Sequence, residues 1–493
     1  MNACSLMRAA LACALAAVGC GAGDDAPGSQ SEAVLIARTV WVSPDGDDAA
    51  DGRTTARPMR TIQAAVDRLG AGGERAGTVR LMPGTYTDTL SLVGFAHVRI
   101  VGDGRDTVHW RPAAALAWDV AGYGAARRTP VRVVDSRDVT LRSVTLDFAD
   151  VRGDQVAGLL LWNSTATVQD CALTDMATPG YYEFTVYASA PGFTADERAT
   201  VRFVDDEFVR TGRVGVLLHG FTHGEFVRNA FRAEGDFGYG VEVSSTATAD
   251  LRSNDIAGYD VTAATDGSGS AGVLVDNAFT AGNPHLDKRV TLRANHLHAN
   301  TYAVSVGNAF AGLSGDVDID LRLDANLLHA NRLGAVSVTD ANRGAGSSVT
   351  VTARGNLVAD NHGAGYVVST AGDGEVHLDL AREVISGHDV AVDVLPDTGA
   401  SLHDVRVAAS NLGDNLAWGV RNLGPSVVAA RGNWWGAPDG PTDATGDTDV
   451  TRRSCDATSL AARVNLLGDD VGRPGIAVTD NVDYCAWSLA GRP

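Results

Sequence analysis

Of the 40 Lys and Arg residues in this chain of 493, a single one is lysine, Lys288, in the segment AGNPHLDKRV. A lone amine is the group to question first. An uncharged Lys can take a proton from the carbon beside a carboxylate, and an Arg can neutralise that carboxylate while it does so. Arg213 and Arg332, with Arg210, are the other candidates for such a role. The plain reading of Lys288 is a solvated loop charge. A second set follows successive short apolar runs: His219, Asp276, Asn277, Asn308 and Asp340, with AGVLVDNAFTAG echoed by AVSVGNAFAG. Projecting side by side, these would make a polar groove for a sugar or a weak cation site, although the same residue types also build ordinary turns.

Oxygen ligands for Ca²⁺ are dense in two loops, one with Asp45, Asp47, Asp48 and Asp51 and one with Asp439, Asp443, Asp447 and Asp449. Neither loop has EF-hand spacing, and Asp-Gly clusters are common turns. His298 and His329 follow the same pattern in NHLHAN and NLLHAN, so they should stack a coil apart. A metal wants a third ligand. The next equivalent position is Ala359.

The elements that position these residues are short and repeated. VRVV at 131, GLLL at 158, TVYA at 185, GVLL at 215, GVEV at 240 and GVLV at 272 are followed by AVSV at 303 and 335, GYVV at 365, AVDV at 391 and GVRN at 419. Successive starts are 25 to 32 residues apart, with no helix-period segment between them. Such a spacing describes a solenoid of β-coils. A polar marker runs in phase: Asp206, Asn229, Asn254, Asn295, Asn326, Asn356, Asn411 and Asn433, with Asn300, Asn331 and Asn361 five residues after three of them. Stacked in register, these side chains would form an amide ladder, and Asn suits the left-handed turn between coil faces. Three short strands per coil make a parallel β-helix of about eleven coils, a rod of roughly 50 Å at ~4.8 Å per coil.

Charge narrows the partners. Sixty acidic residues give a formal charge of −20, a field that disfavours nucleic acid and anionic lipid surfaces. Residues 1–19 carry Arg8 and a short apolar run, Ala9 to Val18, too short to span a bilayer as a helix, and read as an export signal. The run ends in Ala17-Val18-Gly19-Cys20, which resembles a bacterial lipobox, so Cys20 is the expected lipidation site and residues 20–36 a tether. Gly21 in the next position points to the outer membrane or cell surface. In an oxidising compartment, Cys455 and Cys485 are expected to pair, and Cys171, between apolar neighbours, to be buried.

The opening TVWVSPDGDDAADGRTTARPMRTIQAAVDRLG, then GTVRLMPGTYTDTLSL, resembles the first segment of right-handed parallel β-helix proteins of the pectate-lyase-like superfamily. NWWGAPDGPTDATGD and NVDYCAWSL resemble the C-terminal close of bacterial surface proteins with this fold. The implied layout is an N-terminal cap with first coils over 37–130, coils over 131–433 and a C-terminal cap over 434–493. Ile62, Ala65, Val66 and Leu69 have helix spacing and would lay an apolar stripe over the first coil. Enzymes of the superfamily work on the outer face of one long sheet. The outward row there reads Leu160, Tyr187, Leu217, Glu242, Leu274, Ser305, Ser337, Val367 and Asp393. Its two acids, five coils or about 24 Å apart, are too distant for glycoside hydrolysis, which needs roughly 5–9.5 Å. Lyases of the superfamily use Lys or Arg as base, often with Asp-bound Ca²⁺, but their clustered Asp motif is absent, as are the motifs of the polygalacturonases. Two readings result. The first is a monomeric, non-catalytic envelope lipoprotein, held to the membrane by its lipid alone and engaging a polysaccharide or other surface component. The alternative is a polysaccharide lyase or related carbohydrate-active enzyme, with Lys288, Arg213 or Arg332 as base. Two adjacent tryptophans, Trp434 and Trp435, read as the plug of the last coil, with at most one ring left to a sugar.

Overall fold

The computed structural model describes residues 38–443, apart from 72, 74, 119–126, 152–154, 177–181, 234–237, 261–269, 279, 281–284, 308–314, 316, 340–346, 370–373 and 397–401, together with 475–491 apart from 480, 485 and 486. Cys20, Asn308, Asp340, Cys455 and Cys485 lie outside the described residues.

Most coils run through three short strands, each paired in parallel with its equivalent one coil away, while Leu116–Ala117 and Arg128–Thr129 pair antiparallel at the side of one sheet. We call the resulting 15-, 11- and 16-stranded sheets sheet 1, sheet 2 and sheet 3, in the order a coil visits them. Alternation along each strand does the sorting: in Val317–Asp324, VDIDLRLD, the Val, Ile and Leu side chains are buried and the Asp and Arg side chains face out. The eleven valine-rich runs from 131 to 419 are all strands of sheet 3, and Leu90–Val93 precedes them as a twelfth. Inside, the lumen fills with stacked like residues, including Phe203 on Phe226 at 5.1 Å and Phe208 on Phe231 at 4.3 Å between ring centres.

The corner between sheets 1 and 2 carries a continuous ladder. The Asn229 main-chain N–H donates to Asn254 Oδ1 at 2.9 Å while Asn229 Nδ2 donates to Asn254 Oδ1 and to the Phe203 carbonyl. The pattern repeats through Asn295, Asn326 and Asn356. Glu383 and Ser410 hold the next two rungs, before Asn433. Asn411, expected there, sits one place beyond and pairs its backbone with Val384 and Trp434 instead. The left-handed residue is also not the Asn but its predecessor: Arg228, Ser253, Ala294 and Ala325 have φ between 52° and 57°. A second ladder joins Asn300, Asn331 and Asn361 at the corner between sheets 2 and 3 and continues into His388 and Asn415.

At the start, the helix Ile62–Gly70 lies against strands of sheets 1 and 3, with Ile62, Ala65, Val66 and Leu69 buried and Thr61 Oγ1 accepting from the Ala64 N–H as N-cap. It hides the first coil's open end. At the other end Trp435 is fully buried in the core, joined by Trp487, whose Nε1 donates to the Pro438 carbonyl at 3.0 Å, while Trp434 stays half-buried. Cys171 is fully buried, its thiol pushed up by desolvation.

Candidate functional site

The outward row of sheet 3 has the expected register, each residue facing the next from Leu160 and Tyr187 through Glu242 to Asp393. Its character is apolar. Leu160, Tyr187, Leu217 and Leu274 join Trp118, Trp162, Phe184 and Tyr239 in a second hydrophobic cluster, separate from the lumen and buried. Glu242 is buried within this row, and Asp393, five steps on, is clamped by Arg421 through two hydrogen bonds of 2.8 and 2.6 Å. The two acids therefore do not meet.

Of the polar residues expected beside this row, His219 stacks on Tyr187, its ring centre 6.3 Å away. Desolvation, helped by the charges of Lys288 and Arg127, pushes its imidazole down to about 4, so it is neutral at ordinary pH. Asp276 and Asn277 are fully buried. Asp276 Oδ1 accepts from Ser244 Oγ and the Ala278 N–H at 2.8 Å each, and Asn277 Nδ2 donates to the Gly315 carbonyl at 2.9 Å. Both serve their turn rather than a groove.

Lys288 is not a solvated loop residue. It lies in the strand Leu286–Arg293, inward-facing and 1% exposed, with Nζ donating to the carbonyls of Val243 at 2.5 Å, Ser245 at 3.3 Å and Asp276. An ammonium has three donors, and these three contacts leave no lone pair for a base. Arg332 is tied to Asp260 and Thr301, and Arg210 holds Asp175 through contacts of 2.6 and 2.8 Å. Arg213 is buried. These cations are not brought together on one open surface. In the first acidic loop, Asp47 and Asp51 accept from the N–H groups of Ala49 and Arg53, and Asp48 binds the N–H groups of Arg60 and Thr61 at 2.8 Å each, beside the helix N-terminus. Among the described residues Asp45, Asp47, Asp48 and Asp51 do not converge as a ligand group.

The open polar surface lies elsewhere, on the first coils of sheet 1. In TVWV, GTVRL, AHVRIVG, RDVTLR and ATVQ the inward positions are Val40, Val79, Val98, Val139 and their neighbours, all buried. Alternation then forces Thr39, Thr78, Arg99, Thr140 and Thr167 into one outward row and Trp41, Arg80, Val101, Arg142 and Gln169 into the next. Between them lies a groove of about 620 Å³, none of whose eleven lining residues is acidic. Among the described residues neither Arg80 nor Arg142 has a carboxylate partner, and both are exposed. Asp170 stands at the rim, taken up by Ser143 Oγ at 2.8 Å and by Arg105 at 3.8 Å. The cationic stretch ends at Arg202, which pairs with Glu225 at 2.8 Å. Arg80 and Arg142 are two coils apart, about 10 Å, with Arg99 on the coil between. The guanidiniums of Arg80 and Arg142 can take carboxylates or sulfates in bidentate fashion while neighbouring hydroxyls bond to sugar oxygens. The sequence signal for this groove is Arg and Thr at outward parity in two neighbouring rows of the first sheet 1 strands, with the one outward acid, Asp138, standing a row away and paired with His97 at 2.7 Å.

Three parallel sheets closing on one lumen, an asparagine corner and a helix over the first coil settle the class. The chain is a parallel β-helix. Comparison with protein-family models and with curated protein sequences finds no match. Among solved structures the β-helix is similar to a GH136 lacto-N-biosidase from Eubacterium ramulus, with TM-score 0.48 and 14% identity over 74% of this chain, and it spans 66% of that structure's length. It is also similar to the A-module of the mannuronan C-5 epimerase AlgE4 from Azotobacter vinelandii, with TM-score 0.42 and 16% identity over 76% of this chain and 90% of the other. A third is the periplasmic alginate epimerase AlgG, with TM-score 0.39 and 11% identity over 83% and 76% of the two chains.

Proposed function

We propose that the chain is an envelope-anchored, non-catalytic β-helix that holds an anionic polysaccharide in the arginine groove of sheet 1. The observation that carries this reading is the groove itself: the exposed Arg80 and Arg142 share a surface lined without a carboxylate, on a chain whose formal charge is −20. Against that background field, a local cationic strip confers selectivity for a polymer that carries regularly spaced negative charge. The commitment of Lys288 to three main-chain carbonyls supports a binding role over proton abstraction. The lipobox-like Ala17-Val18-Gly19-Cys20 supports anchoring at the outer membrane or cell surface.

The test is a binding and turnover measurement on one panel: uronate polymers, sulfated glycans and neutral glucans, with the purified chain and with an Arg80→Ala/Arg142→Ala variant. Retention of anionic polymers, weakened at least tenfold in the variant and by added salt, with no unsaturated product formed, is the expected result. Formation of unsaturated uronate products by the wild-type chain would establish the lyase alternative. Equal retention of neutral glucans would remove the groove from consideration.

A further inference from the structure

Three imidazoles converge on the outer face of sheet 2, away from the arginine groove. His296 and His298 belong to one strand, His296–His298, and Leu297 between them is fully buried, so both rings project outward. The register sets His298 opposite His329 on the following coil and His296 opposite Asp255 on the preceding one. The third histidine missing from the row of His298, His329 and Ala359 is thus supplied from the neighbouring row. His296 Nε2 stands 2.6 Å from His329 Nε2, and one ring nitrogen of each of the three lies within 4.8 Å of the others. The rings are near parallel, with centres 4.2, 4.8 and 5.3 Å apart.

Asp255 organises the group. Its Oδ1 is 3.2 Å from His296 Nδ1 and 3.1 Å from His298 Nε2, while its other oxygen pairs with Arg232. An ionised carboxylate only accepts, so the ring nitrogens facing it carry protons. That commits the Nδ1–H of His296 to Asp255 and leaves its Nε2 lone pair aimed at His329. Two imidazole nitrogens brought this close share either a proton, with one ring donating its N–H to the lone pair of the other, or a metal. With side-chain exposures of 38% for His296 and 28% for His298, the group is reachable from solvent.

We propose that His296, His298 and His329 form a binding site for one divalent transition cation of the zinc, cobalt or nickel class, oriented by Asp255 and open to solvent at a further coordination position. Imidazole nitrogens select these ions over Ca²⁺ and Mg²⁺, which prefer oxygen ligands. A carboxylate gripping the far nitrogen of a ligating histidine is the usual device that fixes its tautomer and ring angle. Three protein ligands with a solvent-facing remainder leave room for an exchangeable water or an oxygen of a ligand. Ala359, next in the row after His329, is small enough not to fill that space.

The test titrates the purified, metal-free full chain with Co²⁺ and follows ligand-field absorption, then displaces it with Zn²⁺. One equivalent per chain is expected, unaffected by Ca²⁺, with affinity reduced at least tenfold by His296→Ala or His329→Ala. Asp255→Asn should lower it by roughly 10- to 100-fold. His285→Ala, in the exposed group of His285, Asp287 and Asp318, should leave it unchanged. The absence of stoichiometric Co²⁺ binding overturns the proposal, as does binding that survives every substitution among the three histidines. A readout on the wild-type chain guards against variants that fail to fold: carbethoxylation mapped by mass spectrometry should spare His296 and His329 when Zn²⁺ is present. Equal modification with and without Zn²⁺ also overturns the site.

Discussion

Glu383 Oε1 accepts from both the main-chain N–H of Asn356, at 3.0 Å, and its side-chain Nδ2, at 3.1 Å, filling a rung that asparagine holds in five consecutive coils before it. An amide offers an acceptor at no electrostatic cost. A buried carboxylate does not, and desolvation pushes the Glu383 carboxyl up to about 7, against the hydrogen bonds from Tyr366 and Asn356 that hold it down.

The sign of the resulting pH dependence follows. The folded chain binds this proton more tightly than the unfolded chain, whose ordinary value is 4.5, so the stabilisation is full below about pH 4.5 and is lost as pH rises through about 7. The difference is on the order of 3 kcal/mol. Glu383→Gln keeps the acceptor and removes the titration, so its stability relative to wild type should rise between about pH 5 and pH 8. Urea midpoints of both proteins across that range are the measurement, and parallel pH profiles would falsify the assignment.

Lys288 tests the difference between a structural and a reacting amine. Lys288→Ala strands three carbonyl acceptors in the interior, so unfolding free energy should fall by about 3 kcal/mol or more. Lys288→Met restores packing but not donors and should recover only part of the loss. Were the amine a base, either substitution would abolish turnover and leave the unfolding midpoint where it was.

The two adjacent tryptophans should separate cleanly. Trp435→Ala opens a cavity under the last coil and should cost about 3–5 kcal/mol. Trp434→Ala, at a half-buried ring, should cost well under half of that. Thermal unfolding of the two variants decides it, and equal losses would mean that both rings seal the end.

Left-handed alanines offer a gain. Ala294 and Ala325 hold φ of 53° and 52° just before a ladder asparagine. A side chain there is strained by about 1–2 kcal/mol, and glycine removes the clash while losing up to about 1 kcal/mol in chain entropy. Ala325→Gly should therefore raise stability slightly, by about 0.5 kcal/mol, readable as a higher urea midpoint.

The repeat, the amphipathic helix and most of the asparagine corner were legible because each leaves a periodic or paired mark in the sequence. The outward row from Leu160 to Asp393 could be placed correctly for the same reason, since parity along a strand fixes its face. The two ladder positions held by Glu383 and Ser410 were not legible, because a substitution within a ladder breaks the residue type while keeping the geometry. Lys288 was misplaced because a lysine beside an aspartate in a Pro-Gly loop looks solvated. Only the fold shows that it is inward by parity and faces three carbonyls. The histidine group was half visible. His298 and His329 shared a row, but His296 joins them across rows, a neighbourhood that one-dimensional spacing does not display.

Coil lengths along sheet 3 vary from 25 to 32 residues between Leu160 and Asp393, yet the pairing register never slips across those nine strands. The variation in length falls outside these paired strands, and lengthening a connection costs only a slowly growing closure entropy. Each coil can therefore acquire or shed a surface excursion as a local event, without retuning its neighbours. The scaffold separates what holds the rod together from what the rod displays, so new specificities can be grafted one coil at a time.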